Sequence, residues 1–244
     1  MRAKLSFLIP ERHYDPHNPE MMDRTGIDAD LLAGDLGNLR TINNWFGGLR
    51  AVRRCVAPLI DGVVQGARIE VLDLATGSAD CAVELAKRMR RLGRSVGITA
   101  VDKNPFMIET ARKMAANFPE ITIDEMDILS LPFPDRSFDI VLCSSAIHHF
   151  SRRDAVHILF EMNRIARVGF VVNDLDRSRF GAWAAWLYGH LATTNPITRH
   201  DSYASVLRAF TVSELTAMSR EAGLHSFVVK RQVFFRLILV GVHP

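Results

Sequence analysis

Several short clusters in this 244-residue chain combine residue types that suit chemistry. In VLDLATGSAD, residues 71–80, an apolar run reaches Asp73, and a turn of small and polar residues with one glycine, Gly77, leads to Asp80. Such a turn offers backbone N–H groups to a polar ligand. The two carboxylates argue against a polyphosphate and for a ligand carrying an amine or hydroxyls. In CSSAIHHF, residues 143–150, Ser144 and Ser145 precede His148 and His149. Imidazole titrates near neutrality, so His148 is a candidate general base; it also reads as a residue that caps the loop or shapes a pocket. His149 is expected to pack away from the site. Asn173 and Asp174 suit either orienting an acceptor hydroxyl or capping the next turn. His200 and Asp201 either line a pocket or, the favoured reading, bond each other as a loop staple. His13 and His17 are four apart, but Pro16 breaks the helix a metal pair would need and no carboxylate motif completes the set. They read as solvated loop residues, and no metal is expected.

The elements that must hold these residues are legible from periodicity. From residue 69 onward, IEVLDL, VGITAVD, ITIDEMDI, FDIVLCSS and VGFVVND read as strands, separated by the helices ADCAVELAKRMRRLG, NPFMIETARKMAANF and RRDAVHILFEMNRIA. Alternation of this kind implies a parallel sheet covered by helices on both faces. The expected class is α/β, a Rossmann-like, doubly wound and mostly parallel sheet. Its ligands bind beyond the carboxyl ends of the strands. Residues 1–66 read as a helical N-terminal cap. After an irregular start, Leu32, Leu36, Leu39 and Phe46 form one stripe, Gly47 and Gly48 stop that helix, and a second helix runs from about Leu49 to Val64, bent near Pro58. Residues 67–244 form the main domain, with an insertion at 175–210. Phe180, Trp183, Trp186, Leu187 and Tyr188 in that insertion read as core packing or as a lid facing an apolar acceptor. TVSELTAMSREAG is a helix with a Thr211/Glu214 capping box, and SFVVK and VFFRLILVGV form a C-terminal antiparallel hairpin.

Composition narrows the function. A 48% apolar and 23% charged chain is ordinary for a globular protein, and a formal charge of +3 is too weak to argue for nucleic acid or an anionic membrane. The basic run from Lys87 to Arg94 ends a helix and reads as a solvated face. Cys55, Cys81 and Cys143 show no paired spacing, so a reducing cytoplasm is expected. No apolar run reaches the ~20 residues of a membrane span, and MRAKLSFLIPERHYD does not read as a signal peptide. Neither G-x-G-x-x-G nor G-x-x-x-x-G-K-[ST] is present, which disfavours nicotinamide dinucleotides and a phosphate-cradling loop.

With these residues in order, the chain resembles the class I S-adenosylmethionine-dependent methyltransferases over about residues 65–175. Val71 to Ala79 is similar to the family's V-L-D-L-G-x-G-x-G, with Gly77 as the central glycine and Ala75 and Ala79 replacing the outer two. Alanine adds only a methyl there if φ is ordinary. The resemblance implies S-adenosylmethionine as cofactor, with Asp102 gripping the ribose hydroxyls and Asp127 preceding the adenine pocket. It implies Asp73, Ala75, Gly77, Lys103, Ile128 and Ser144 as further cofactor-binding positions, and places the loop of His148 beside the methionine half. LPFPDRSFD resembles the small-molecule branch typified by ubiquinone and menaquinone methyltransferases. The head LLAGDLGNLRTINNWFGG and the tail ITRHDSYASVLRAF are similar to methyltransferases that accompany type III polyketide synthases. The acceptor implied is small and largely apolar, methylated on oxygen in a polyketide-derived phenol, pyrone or lipid. C-methylation of a quinol-like ring and a non-catalytic cofactor-binding subunit are the rival readings, and a homodimer is the candidate assembly.

Overall fold

The computed structural model describes residues 9–243 except Thr25 and Phe46, with the Asn44 side chain also outside the description. Phe46 of the apolar stripe and the first eight residues of the leader reading therefore lie outside the described residues. Two N-terminal helices, α1 (Ala29–Trp45) and α2 (Gly48–Asp61), precede β1 (Ile69–Leu74). There follow α3 (Asp80–Leu92), β2 (Val96–Asp102), α4 (Pro105–Ala115), β3 (Ile121–Glu125) and β4 (Phe138–Ser144). Then come α5 (Arg152–Ile165), β5 (Ala166–Leu175), α6 (Arg179–Ala192), α7 (Pro196–Arg208), α8 (Val212–Glu221), β6 (Phe227–Gln232) and β7 (Arg236–Val242).

The strands form one seven-stranded sheet in the order β3-β2-β1-β4-β5-β7-β6. All pairings are parallel except those of the C-terminal hairpin, which adds β7 antiparallel to β5. Alternating side chains split the core in two. Val71, Ile98, Ile140 and Val171 face α2, α3 and α4, while Leu72, Leu74, Val141 and Val172 face α5 and α8. Local chemistry starts the helices where the sequence says it should. Asn104 caps α4 ahead of Pro105, Asn195 caps α7 ahead of Pro196, and Thr211 and Glu214 close the expected capping box.

Three expectations need correction. Gly48 opens α2 instead of ending α1. Gly47 alone makes the turn, at φ +78°, and a Cβ on Gly48 would lie 3.1 Å from the Arg236 guanidinium. The insertion consists of two helices, because Asn195-Pro196 starts a second one. Within α6, Phe180, Trp183 and Trp186 are exposed and outside the core, whereas Tyr188 of the same stripe lines an apolar cavity. The helix buries its small residues instead: a Cβ on Gly189 would meet the Ser202 hydroxyl at 2.8 Å, so α6 can approach α7 only with glycine there.

The turn after β1 supplies the third correction. Ala75, Gly77 and Ala79 adopt φ of +50°, +57° and +61°. The left-handed region costs a non-glycine residue about 1–2 kcal/mol, so both alanines are strained. Ala75→Gly is expected to stabilise the protein by about 0.5–1 kcal/mol, since relief outweighs the added chain entropy. Ala79→Gly is expected to be near neutral, because its methyl is fully buried and losing it costs about as much as the strain returns. Urea midpoints at constant slope test both, and a destabilised Ala75→Gly would remove the strain argument.

Candidate functional site

The carboxyl ends of β1 and β4 are neighbours, and the helices that follow them leave for opposite faces, so a crevice opens between them. A cleft of about 810 Å³ lies there. Asp102 ends β2 on its wall. Its Oδ2 accepts the Gly77 N–H at 2.9 Å and its Oδ1 accepts the Asn104 N–H at 3.0 Å. Each oxygen keeps a further lone pair for a ligand. Burial raises the Asp102 pKa, and the N–H groups of Asn104 and Gly77 only partly offset it. Asp127 accepts the Leu129 N–H at 3.0 Å and faces Lys103 Nζ at 3.3 Å. Ala75, Gly77, Lys103 and Ile128 share this wall. A Cβ on Gly77 would meet no protein atom within 4 Å. Two carboxylates over an apolar surface that includes Ile27, Phe106 and Ile128 fit a nucleoside with free hydroxyls better than a phosphate.

Two of the expected cofactor positions stand back from this wall. Ser144 accepts the Asn173 amide N–H at 2.8 Å, and Ser145 takes its place at the cleft, held at φ +55° by its own N–H bond to the Asn173 carbonyl. Asp73 is 1% exposed and accepts the Thr76 hydroxyl at 2.7 Å, bracing the turn from behind. Burial, then the charges of Asp102 and Asp80, push its carboxyl up to about 7 despite the Thr76 bond. An acid raised in the folded state favours the protonated form, so its stabilising contribution is full below the unfolded pKa and is lost as pH rises towards about 7. Asp73→Asn keeps an acceptor for Thr76. It should flatten that loss, amounting to about 2–4 kcal/mol, and exceed wild type in stability above neutrality. Unfolding by urea on both sides of that range is the check, and equal pH slopes for the two proteins would refute it.

A second cavity of about 220 Å³ adjoins the cleft at Ser145, Met22 and His149. Its walls are mostly apolar, with Leu39, Ile42, Leu175, Ala185 and Val206 among them. His148 lines it at 3% exposure, on the loop after β4. The Asp174 carboxylate lies 2.6 Å from His148 Nδ1 and also accepts the His148 backbone N–H at 3.1 Å. Burial alone would raise Asp174, but His148 beside it holds the carboxyl below its ordinary range. Asp174 thus orients an imidazole, a role neither of its sequence readings contained. His200 and Asp201 do bond each other, at 2.6 Å, and Asp201 also accepts the N–H groups of Met21 and Met22.

His149 does not pack away. It lines both cavities, with Nδ1 2.7 Å from Asp23 and Nε2 4.0 Å from Glu20. Burial would lower its pKa, yet the Glu20 charge and the Asp23 hydrogen bond together raise it to about 9. Glu20 is 1% exposed; Oε2 accepts the Ser205 hydroxyl at 2.7 Å and Oε1 has no hydrogen-bond partner among the described residues. Glu20, His148 and His149 bring one donor atom each within 4.8 Å of the others. Both Nδ1 atoms are committed to carboxylates, and the Glu20 carboxyl faces the two Nε2 atoms at 3.7 and 4.0 Å. Glu20, Asp23 and Arg236 carried no sequence motif that marked them for this place.

Residues 71–169 match a family described as methyltransferase domain. The match is to that stretch of the chain, and the seven-stranded sheet order and the cleft at the strand ends belong to the same fold as solved S-adenosylmethionine-dependent methyltransferases. The chain is similar to the demethylmenaquinone methyltransferase of Deinococcus radiodurans, at 40% identity over 100 residues, 41% of this chain and 39% of that protein. It spans less than half the length of the curated relatives it matches. Among solved structures, a SAM-dependent methyltransferase from Aquifex aeolicus superposes with a TM-score of 0.60 at 15% identity, covering 88% of this chain and 98% of that one. The CurJ carbon methyltransferase gives a TM-score of 0.64 at 12% identity, covering 91% and 62%. At such identities the likeness is one of fold. Among the described residues no helix is long and apolar enough to cross a membrane.

Proposed function

We propose that the chain methylates a hydroxyl oxygen of a small, largely apolar acceptor, a polyketide-derived phenol, pyrone or related lipid. The observation that carries this is the buried His148–Asp174 pair on the wall of an apolar chamber that meets the cofactor cleft at Ser145. S-adenosylmethionine, when bound, supplies a methyl group already activated by positive charge on sulfur. Asp102 and Asp127 hold the nucleoside end of the cofactor at the cleft. The apolar walls take the acceptor out of water and fix its direction of approach, and orientation of this kind contributes up to about 7–11 kcal/mol. His148 accepts the hydroxyl proton at Nε2, while Asp174 keeps Nδ1 protonated and steadies the imidazolium that forms. The α6–α7 insertion acts as the acceptor lid.

C-methylation of a quinol-like ring is the second reading, favoured by the name of the Deinococcus relative. It needs the same base, since a deprotonated hydroxyl makes the ring carbon nucleophilic. Calorimetry with S-adenosylhomocysteine and NAD tests the cofactor assignment, and tighter NAD binding would overturn it. Mass spectrometry of reactions with a deuterated methyl donor and phenolic lipids, pyrones or demethylated quinols then locates the methyl group. Label on carbon would replace the oxygen reading with the second.

A further inference from the structure

A neutral acceptor would leave one costly feature of the chamber without a purpose. Arg236, the first residue of β7, lines the chamber and is 3% exposed. It lies opposite Leu175 in the β5–β7 ladder. Nη1 donates to the Ser145 hydroxyl at 3.0 Å and Nη2 to the Asn43 side-chain oxygen at 2.6 Å. Both partners are neutral, and among the described residues no carboxylate forms an ion pair with this guanidinium. The contrast is Arg177, equally buried and paired with Glu214 at 2.6 Å. Burial lowers the Arg236 pKa, and the more distant charge of Asp174 does not restore it.

A guanidinium taken out of water without an anion is costly unless something compensates it. Arginine carries five N–H donors in a planar fork, and two are used here. The fork is also held in place. Gly48 packs closely against it, a Cβ there lying 3.1 Å from Nη2, and Ser145 is held in the left-handed region at its other side. The acids at and behind this chamber already face imidazoles. Asp174 is bound to His148, and Glu20 stands between His148 and a His149 imidazolium. Ser145 lines both cavities, so the guanidinium lies one hydrogen bond from the point where they meet.

We propose that Arg236 is an anion receptor in the acceptor chamber, so that the acceptor carries an ionised oxygen, enolate, phenolate or carboxylate, in addition to the hydroxyl that receives the methyl. This rests on the methyltransferase reading and names the chemical class of its acceptor. The fork matches a delocalised oxyanion, and the apolar walls strengthen the pairing by excluding water. Neutral compounds of the same shape are then poor ligands, because they leave the buried cation unpaired.

The experiment uses two matched pairs of probes: triacetic acid lactone, an enol ionised at neutral pH, with its neutral methyl ether, and benzoate with benzamide. Binding of each is measured by calorimetry to the full chain, with and without S-adenosylhomocysteine. In at least one pair the anion should bind about tenfold or more tightly than its neutral partner, and the pair that responds tells enolate from carboxylate. Arg236→Gln should reduce that ratio to about threefold or less, and Arg236→Lys, which keeps charge but loses the fork, should leave an intermediate value. Equal binding of both members of both pairs by wild type, no binding of any probe at millimolar concentration, or a ratio that survives Arg236→Gln would each overturn the proposal. Should Arg236→Gln fail to fold by circular dichroism, Arg236→Lys decides, and an undiminished ratio there counts against it. A wild type that shows the anion preference yet does not bind S-adenosylhomocysteine would keep the anion site and defeat the methyltransferase reading.

Discussion

Replacing His148 with alanine is expected to lower the single-turnover rate of methyl transfer by about 10²–10⁴-fold, the contribution of a positioned base, while cofactor affinity stays within a few-fold. The separation follows from placement, because His148 lines the acceptor chamber and not the cofactor cleft. Alanine also strands the Asp174 carboxylate at 2% exposure, so the variant should lose stability as well. His148→Gln is the companion variant: it can still donate to Asp174 but cannot accept a proton at neutral pH, so it should recover stability without recovering rate. Rates across pH at saturating cofactor, with a weakly acidic phenol as acceptor, make the measurement. Matching profiles within a few-fold for wild type and both variants would remove His148 from proton transfer and leave orientation and water exclusion to carry the reaction. Asp174→Asn should lie between, since it keeps the imidazole in place but withdraws the charge that favours its protonation.

Asp102→Ala is expected to weaken S-adenosylhomocysteine binding by about 1.5–3 kcal/mol, or roughly 10- to 150-fold. The loss has two sources. The carboxylate would hold the ribose hydroxyls, and it also pins the Gly77 and Asn104 N–H groups that shape the turn and the start of α4. Asp102→Asn separates them, because its single side-chain oxygen can serve the backbone or the ribose but not both; an intermediate affinity is expected. Calorimetry on variants that retain the wild-type unfolding transition is the test. Unchanged affinity in Asp102→Ala would take this residue out of the cofactor site.

The strands, the turn and the terminal hairpin were legible because each has a strong local cause: apolar runs of strand length, a small-residue turn, and capping residues at fixed offsets. What escaped the sequence depends on contacts between distant segments. The left-handed φ of Ala75 and Ala79 cannot be inferred from alanine, which is at home at ordinary φ. The sequence placed His149 away from the site because nothing local holds it there; Asp23 and Glu20, more than a hundred residues earlier in the chain, do so in the fold. The exposed Trp183 and Trp186 misled because bulk suggested burial, whereas close helix packing in α6 selected glycine and alanine. Arg236 escaped for the same reason: it sits in the strand run VFFRLILVGV, and only the fold brings Ser145 and Asn43 to its guanidinium.

The chamber walls have a further consequence. Apart from Ser145, His148 and His149, every residue lining the acceptor chamber lies outside residues 71–169, in the segment before α1, in α1, at the end of β5, in the α6–α7 insertion or in the terminal hairpin. The cofactor cleft draws mainly on the strand ends and turns inside that stretch, with the N-terminal segment closing over it. The two cavities are therefore inherited through different parts of the chain. Drift in the α6–α7 insertion and the terminal hairpin can remodel the chamber without touching the cleft, so a lineage built on this scaffold can change what the chamber holds while keeping what the cleft holds. A chimera carrying foreign flanks on this core is the laboratory version of that exchange.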